Sequence, residues 1–282
     1  MRRLSGRSAR LRDGRFVAEG PQCVREALAA HVAARDAGHP AVVRELYADD
    51  DVLARHPDLA EAVHRAGLAV RQASPEVLAA LTDTVTPQGI VAVCSLVDVS
   101  LETAVVATAH DDRPGLVAVL AQVRDPGNAG TVIRAADAAG ADAVVLTESS
   151  VDVHNPKCVR STAGSLFHLP VVSGAPLEQV VDRLKTAGLL ILAADGDGAD
   201  DLDDLLDAAA AGEPGGLAGP VAWIFGNEAW GLPAADRALA DRVVRVPVHG
   251  RAESLNLATA ATVCLYASAR AQRRSPARSG GG

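Results

Sequence analysis

Three short segments combine glycines with polar side chains of the kind that orient a bound group, and each follows an apolar run. The first is Asp125-Pro126-Gly127-Asn128-Ala129-Gly130-Thr131-Val132-Ile133-Arg134. Its glycines permit backbone turns closed to other residues, and Asn128 can brace the loop through side-chain hydrogen bonds. Arg134 is expected one turn into the following helix. In the second, Phe225-Gly226-Asn227-Glu228-Ala229-Trp230-Gly231-Leu232-Pro233, Glu228 stands at a strand end between two glycines. That is a poor place for a core role, so Glu228 either caps nearby amides or orients a ligand. The third runs from Val246-Pro247 through His249-Gly250-Arg251 to Ser254-Leu255-Asn256. Ser254 is placed to N-cap the final helix. Asn256 would then lie inside its first turn, where Asn is a mediocre helix former. Taken singly, an ordinary strand–helix turn explains the first segment and capping explains the third. Neither GxGxxG nor a P-loop Lys-Ser/Thr is present, which argues against a dinucleotide-dependent oxidoreductase.

The elements expected to position these segments alternate strand and helix. Strands are expected over residues 116–121, 143–146, 167–172, 189–193, 221–225 and 243–248. Helices are expected over 134–139, 156–163, 177–187 and 254–270. Short apolar strands between helices imply an α/β fold with a mostly parallel sheet covered on both faces. In such sheets ligands bind beyond the carboxyl ends of strands, which is where the three segments fall. Upstream, helices at 21–34, 57–66 and 75–81 alternate with strands at 42–47, 68–72 and 90–96, a compact α/β unit of its own. The polar stretch 100–114, ending Asp111-Asp112-Arg113-Pro114, is the expected linker. Domains are therefore expected at residues 1–105 and 106–282.

Composition narrows the function classes. Of 282 residues, 49% are hydrophobic but only 2% aromatic, so the core must be built from Ala, Val and Leu. A net charge of −8 argues against coating nucleic acid by bulk charge. Arginines nevertheless crowd both ends: Arg2, Arg3, Arg7, Arg10, Arg12 and Arg15, then Arg270, Arg273, Arg274 and Arg278. Charge acts within about a Debye length (~10 Å at 0.1 M salt), so these ends either hold a polyanion locally or form solvated tails. Seven aspartates between Asp195 and Asp207 lack the Gly and Glu of an EF-hand and read as a solvated helix and loop. Cys23, Cys94, Cys158 and Cys264 form no CxxC pair and are expected as reduced, mostly buried thiols, with no metal site. No run reaches membrane-spanning length and no signal peptide is evident, so a cytoplasmic protein is expected.

Together and in this order, the three segments resemble the motifs of the SpoU–TrmH family of the SPOUT methyltransferase superfamily. The matches are Asn128-x-Gly130 with Arg134, then Gly226-Asn227-Glu228-x-x-Gly231-Leu232, then Val246-Pro247 with Ser254-Leu255-Asn256. The resemblance covers roughly residues 115 to 270. The early Arg15-Phe16-Val17-Ala18-Glu19-Gly20 resembles the RNA substrate-binding domain often found upstream, whose fold is similar to a kink-turn-binding ribosomal protein. The resemblance implies a C-terminal trefoil knot and a homodimer. It also implies S-adenosyl-L-methionine as cofactor, held by Gly226, Val246 and Leu255, and RNA as substrate, methylated on a ribose 2′-hydroxyl. Arg134 would activate that hydroxyl while Asn128, Glu228, Ser254 and Asn256 orient it. Lys157 and Arg160, one helical turn apart, are expected to contact RNA or to form a solvated helix face. Large-subunit (23S) rRNA is the expected substrate. A tRNA 2′-O-methyltransferase is the alternative within the enzyme class, and a non-catalytic RNA-binding ribosome-assembly factor is the alternative outside it.

Overall fold

The computed structural model describes residues 4, 6–82, 84, 86–110, 112–213 and 216–274; Arg2, Arg3, Asp111 and Arg278 lie outside them. In chain order the elements are α1 (Arg7–Asp13), β1 (Arg15–Glu19), α2 (Pro21–Asp36), β2 (Val43–Ala48), α3 (Val52–Arg55), α4 (Pro57–Ala66), β3 (Val70–Gln72), α5 (Pro75–Thr82) and β4 (Ile90–Ser95). Then come α6 (Leu101–Val106), β5 (Leu116–Leu120), α7 (Pro126–Ala139), β6 (Ala143–Thr147), α8 (Pro156–Ser161), β7 (Val171–Ala175), α9 (Leu177–Thr186) and β8 (Leu190–Ala194). The chain continues through β9 (Asp200–Asp201), α10 (Leu202–Ala210), β10 (Val221–Phe225), α11 (Ala234–Arg237), β11 (Arg242–Arg245) and α12 (Leu257–Arg274). They form two compact units. One comprises residues 1–97 and 152–168, the other residues 98–151 and 169–282.

The first unit carries a four-stranded sheet in the order β1-β4-β2-β3. Its central strand β4 is antiparallel to both β1 and β2, and β2 runs parallel to β3. Ile90, Val91, Ala92, Val93 and Cys94 are all buried, as a strand covered on both faces requires. Residues 152–168 belong to this unit, and among the contacts that tie them to it is Arg10, which is 2% exposed and bonds Asp152 Oδ2 through Nε at 2.9 Å. The Arg10 and His154 partners hold the Asp152 carboxyl below its usual range although burial pushes the other way. Arg10 is thus a buried structural cation and no part of a solvated tail.

The second unit is built on a seven-stranded sheet in the order β7-β6-β5-β10-β8-β11-β9, every pairing parallel. All five residues of β5, β6 and β10 are buried. On one face, Val117, Val119, Val145, Ile191 and Ile224 pack with Val180, Val181 and Leu184 of α9. Trp223 is fully buried in β10, its indole N–H donating to Ser268 Oγ of α12 at 2.9 Å. That hydrogen bond satisfies the ring nitrogen which burial would otherwise strand.

Four expectations from sequence are corrected. The stretch 100–114 holds α6, capped by Ser100 Oγ accepting from the Thr103 amide at 3.1 Å. Helix α7 starts eight residues before 134, with Asp125 as N-cap, Pro126 at its first position and Gly140 closing it at φ +79°. Phe167 lies in a 3-10 turn and β7 begins only at Val171. The last helix begins at Leu257, three residues later than expected. The acidic stretch is also more ordered than a solvated loop. Asp200 and Asp201 form edge strand β9, and Arg242 Nε donates to Asp200 at 2.9 Å while Arg245 pairs with Asp201 at 3.0 Å. The hydrogen bond from Arg242 lowers the Asp200 pKa. All four cysteines are free and buried, and burial pushes Cys23 up to about 12.

Candidate active site

Strands β5, β10 and β11 end side by side with β8, and the three glycine-rich segments leave from the carboxyl ends of the first three. Their side chains join in one relay. The Glu228 carboxylate accepts from Asn128 Nδ2 at 3.1 Å and from the Asp125 amide at 3.4 Å. Asn128 Oδ1 accepts from Asn256 Nδ2 at 3.1 Å. Asn256 Oδ1 in turn accepts from the Ala258 and Thr259 amides at 2.9 and 3.3 Å. Asn256 is therefore the cap of α12, and the cap expected at Ser254 is corrected. Its position is no penalty to the helix: Asn is among the best N-caps, and its amide nitrogen remains to fix the orientation of Asn128.

The glycines matter where backbones meet. A Cβ on Gly226 would stand 2.4 Å from the carbonyl carbon of Gly231, so only glycine fits there. Asn227 and Gly231 close the loop with reciprocal backbone hydrogen bonds of 3.0 and 2.9 Å. The buried Asn227 side chain anchors it, with Nδ2 donating to the Gln122 carbonyl at 2.8 Å and Oδ1 accepting from the Ala229 amide at 2.9 Å. Gln122 itself holds φ +55°, a left-handed conformation rare for a side chain of its size. Asn227 had no role in the sequence reading. Its signal there was its place in the matched motif Gly226-Asn227-Glu228, two residues after a buried strand.

Beside the relay lies a cavity of about 810 Å³, lined by Gly226, Val246, Ser254 and Leu255 and rimmed by Asp195 and Glu253. It thus gathers the three residues expected to hold the cofactor, together with Ser254. Its size suits a drug-sized ligand, and its lining sets Asp195, Asp197, Glu228 and Glu253 against Arg237 and Arg245, with Arg237 paired to Asp195 at 3.4 Å. Arg134 lies on α7, exposed, and makes no hydrogen bond or ion pair among the described residues. It does not line the cavity. Lys157 and Arg160 lie in the first unit. There Arg160 pairs with the buried carboxylate of Glu19 at 3.0 Å and reaches Thr84 at 3.3 Å. Among the described residues no group of three or more His, Cys, Asp or Glu is arranged to hold a metal. None of their helices is long and apolar enough to cross a membrane.

A parallel α/β sheet with a cavity at its strand ends and an amide–carboxylate relay beside it is the layout of an α/β protein that binds a small molecule. Comparison with known proteins gives its family. Residues 115–266 match the family described as SpoU rRNA Methylase, and residues 1–92 match the MRM3-like substrate binding domain. The chain belongs to the SpoU rRNA methylase family. It is 35% identical to the 23S rRNA (guanosine(2553)-2′-O)-methyltransferase RlmP of Bacillus subtilis (strain 168), across 94% of this chain and 92% of that protein. The SpoU methyltransferase AviRb from Streptomyces viridochromogenes, solved with the cofactor AdoMet, superposes with a TM-score of 0.75 at 29% identity, covering 97% of this chain and 96% of that one. An AdoMet-bound rRNA methyltransferase from Sinorhizobium meliloti gives 0.73 at 28% identity, covering 95% and 92%.

Proposed function

We propose that this protein transfers the methyl group of S-adenosyl-L-methionine to a ribose 2′-hydroxyl of 23S rRNA. The observation that carries the reading is the Glu228–Asn128–Asn256 relay, which joins all three motif segments beside the cavity. The residues lining the cavity fit the cofactor: Gly226, Val246 and Leu255 would offer it backbone and apolar surface, and the carboxylates of Glu228 and Glu253 would supply negative charge for its cationic groups. Bound S-adenosylmethionine supplies an electrophilic methyl on a positively charged sulfur. What remains for the protein is to align the hydroxyl and help remove its proton, and alignment alone contributes several kcal/mol, up to ~7–11 in ideal cases.

Arg134 is the residue for that task. Gly127 and Gly130 lie seven and four residues before it, on nearly the same stripe of α7, which leaves Thr131 as the one side chain of the preceding turn on that face. A guanidinium above pKa 12 is a poor resting base. It instead grips an RNA phosphate with two parallel hydrogen bonds and polarises the hydroxyl, and that phosphate assists proton removal. Asn128, Glu228, Ser254 and Asn256 would orient the ribose, and Arg134, which has no partner among the described residues, would be fixed only by the RNA it grips. Residues 1–105 read the RNA, with Lys157 in contact with it. The pairing of Arg160 with Glu19 favours a structural role for that arginine. The C-terminal segment is taken to form a trefoil knot, in keeping with β11 lying between β8 and β9, and the enzyme to act as a cytoplasmic homodimer.

The test is methyl transfer to an unmodified 23S rRNA transcript in the presence of a chelator, followed by mapping of 2′-O-methyl sites in cells with and without the gene. Transfer at one nucleotide, insensitive to chelation, is expected. Transfer to tRNA alone would move the substrate. Tight rRNA binding without transfer to any RNA would favour the assembly-factor reading.

A further inference from the structure

Trp230 stands out in a chain so poor in aromatics. The other tryptophan, Trp223, is fully buried, whereas Trp230 is 50% exposed. It sits on the rim of the cavity, two residues from Glu228. The guanidinium of Arg124 lies over its ring, 5.1 Å from the centroid. Both residues are held by the scaffold already described. The Asn227–Gly231 backbone bridge closes the loop under Trp230, and Asn227 Nδ2 ties that loop to the Gln122 carbonyl, two residues before Arg124. The contact holds the indole and the guanidinium together as one flat, cationic surface at the cavity. A flat apolar face paired with a cation at a polyanion-modifying site is what an unstacked nucleobase recognises.

We propose that Trp230 and Arg124 form a stacking platform for a base of the substrate RNA at the reacting nucleotide, a positioning function distinct from cofactor binding. This rests on the reading that the chain methylates rRNA. Base–aromatic stacking tolerates any base, so the platform positions the strand and leaves base identity to other contacts.

The experiment is steady-state methyl transfer to unmodified 23S rRNA transcript by Trp230→Ala, Trp230→Phe and Arg124→Ala, with S-adenosylhomocysteine affinity measured by calorimetry alongside. Trp230→Ala is expected to raise the KM for RNA about ten-fold while S-adenosylhomocysteine affinity stays within about two-fold, and Trp230→Phe to recover most of the loss because a phenyl ring keeps a stacking face. Arg124→Ala should raise the KM by a smaller factor. Tryptophan emission of the parent should be quenched by RNA, and that quenching should vanish in Trp230→Phe, which retains only the buried Trp223. A KM in Trp230→Ala equal to the parent's, or a loss of S-adenosylhomocysteine affinity as large as the loss for RNA, would overturn the proposal; the second result would return Trp230 to the cofactor site. A parent that quenches with RNA but transfers no methyl would keep the platform and remove the enzymatic reading.

Discussion

Asn256 does two jobs with one side chain: its oxygen caps α12, and its nitrogen orients Asn128. The two can be separated. Asn256→Asp keeps an acceptor for the helix amides, and Asp caps as well as Asn, so thermal stability should change little. It also replaces the donor facing Asn128 Oδ1 with a carboxylate, so methyl transfer should fall by about 10²-fold or more, in the range seen when a positioned donor is lost. Asn256→Ala should lose both, with about 1 kcal/mol of helix stability gone. Thermal melts beside single-turnover rates check this, and an active Asn256→Asp variant would reduce Asn256 to a cap. Arg134→Ala should likewise cost about 10²–10³ in rate with cofactor affinity near the parent's, since Arg134 does not line the cavity. Arg134→Lys should rescue poorly because an ammonium lacks the planar fork. At this scale the motif resemblance marked Asn128, Glu228 and Asn256, which the structure joins in one relay, and Arg134, which stands outside both the relay and the cavity. The choice of Asn256 over Ser254 as cap was not legible, since both residue types cap well and only the path of the loop after β11 decides. Nor was Asn227, whose partner at Gln122 lies 105 residues away along the chain.

At the scale of elements, local chemistry was misread where glycines and polar residues look alike in a loop and in a helix start. Asp125-Pro126 is a cap followed by a first-position proline, yet the glycines after it suggested a loop. Ser100 opens α6 inside a stretch whose polarity suggested a linker. Strands β5, β6 and β10 were legible because uninterrupted apolar runs have no other place in such a sheet. The segment 152–168 was not, because its membership of the first unit rests on contacts between residues far apart along the chain: Arg160 with Glu19, Phe16 with His154 and Phe167, and the ion pair Arg10–Asp152. That pair carries a prediction. The Asp152 carboxyl is held below its usual range in the folded protein. The stability it contributes is therefore present above the unfolded pKa of ~3.9 and lost as pH falls toward the folded value. Asp152→Asn should leave the buried Arg10 guanidinium uncompensated and destabilise the first unit by about 3–5 kcal/mol at neutral pH. The variant's stability should also flatten at acid pH relative to the parent's. Denaturant unfolding at pH 7 and at steps from pH 4 down to pH 2 measures both, since the loss falls below the unfolded pKa, and equal midpoints for variant and parent at pH 7 would show that the pair is not structural.

The whole molecule is two units, but the chain enters the first one twice. Residues 1–97 and 152–168 fold together, although the family match that begins at residue 115 spans the second stretch without a break. Val153, Cys158, Val159 and Leu166 in that stretch are buried. They are buried in a unit whose other ninety-seven residues come from the opposite side of the expected boundary at residue 105. A fragment of residues 98–282 keeps α6, the whole seven-stranded sheet and every residue of the relay and cavity. It also leaves the apolar side chains of 152–168 without their sheet. Burying each of them contributes on the order of 1–3 kcal/mol, so a stretch deprived of several has no reason to stay folded. The fragment should therefore retain S-adenosylhomocysteine binding, expose apolar surface around residues 152–168, and methylate 23S rRNA far more slowly than the full chain. Hydrogen exchange should show protection lost in 152–168 while β5, β6 and β10 keep theirs. Protection in 152–168 equal to that of the full chain would mean that this stretch folds without the first unit, and rRNA turnover equal to the parent's would remove the first unit from substrate reading.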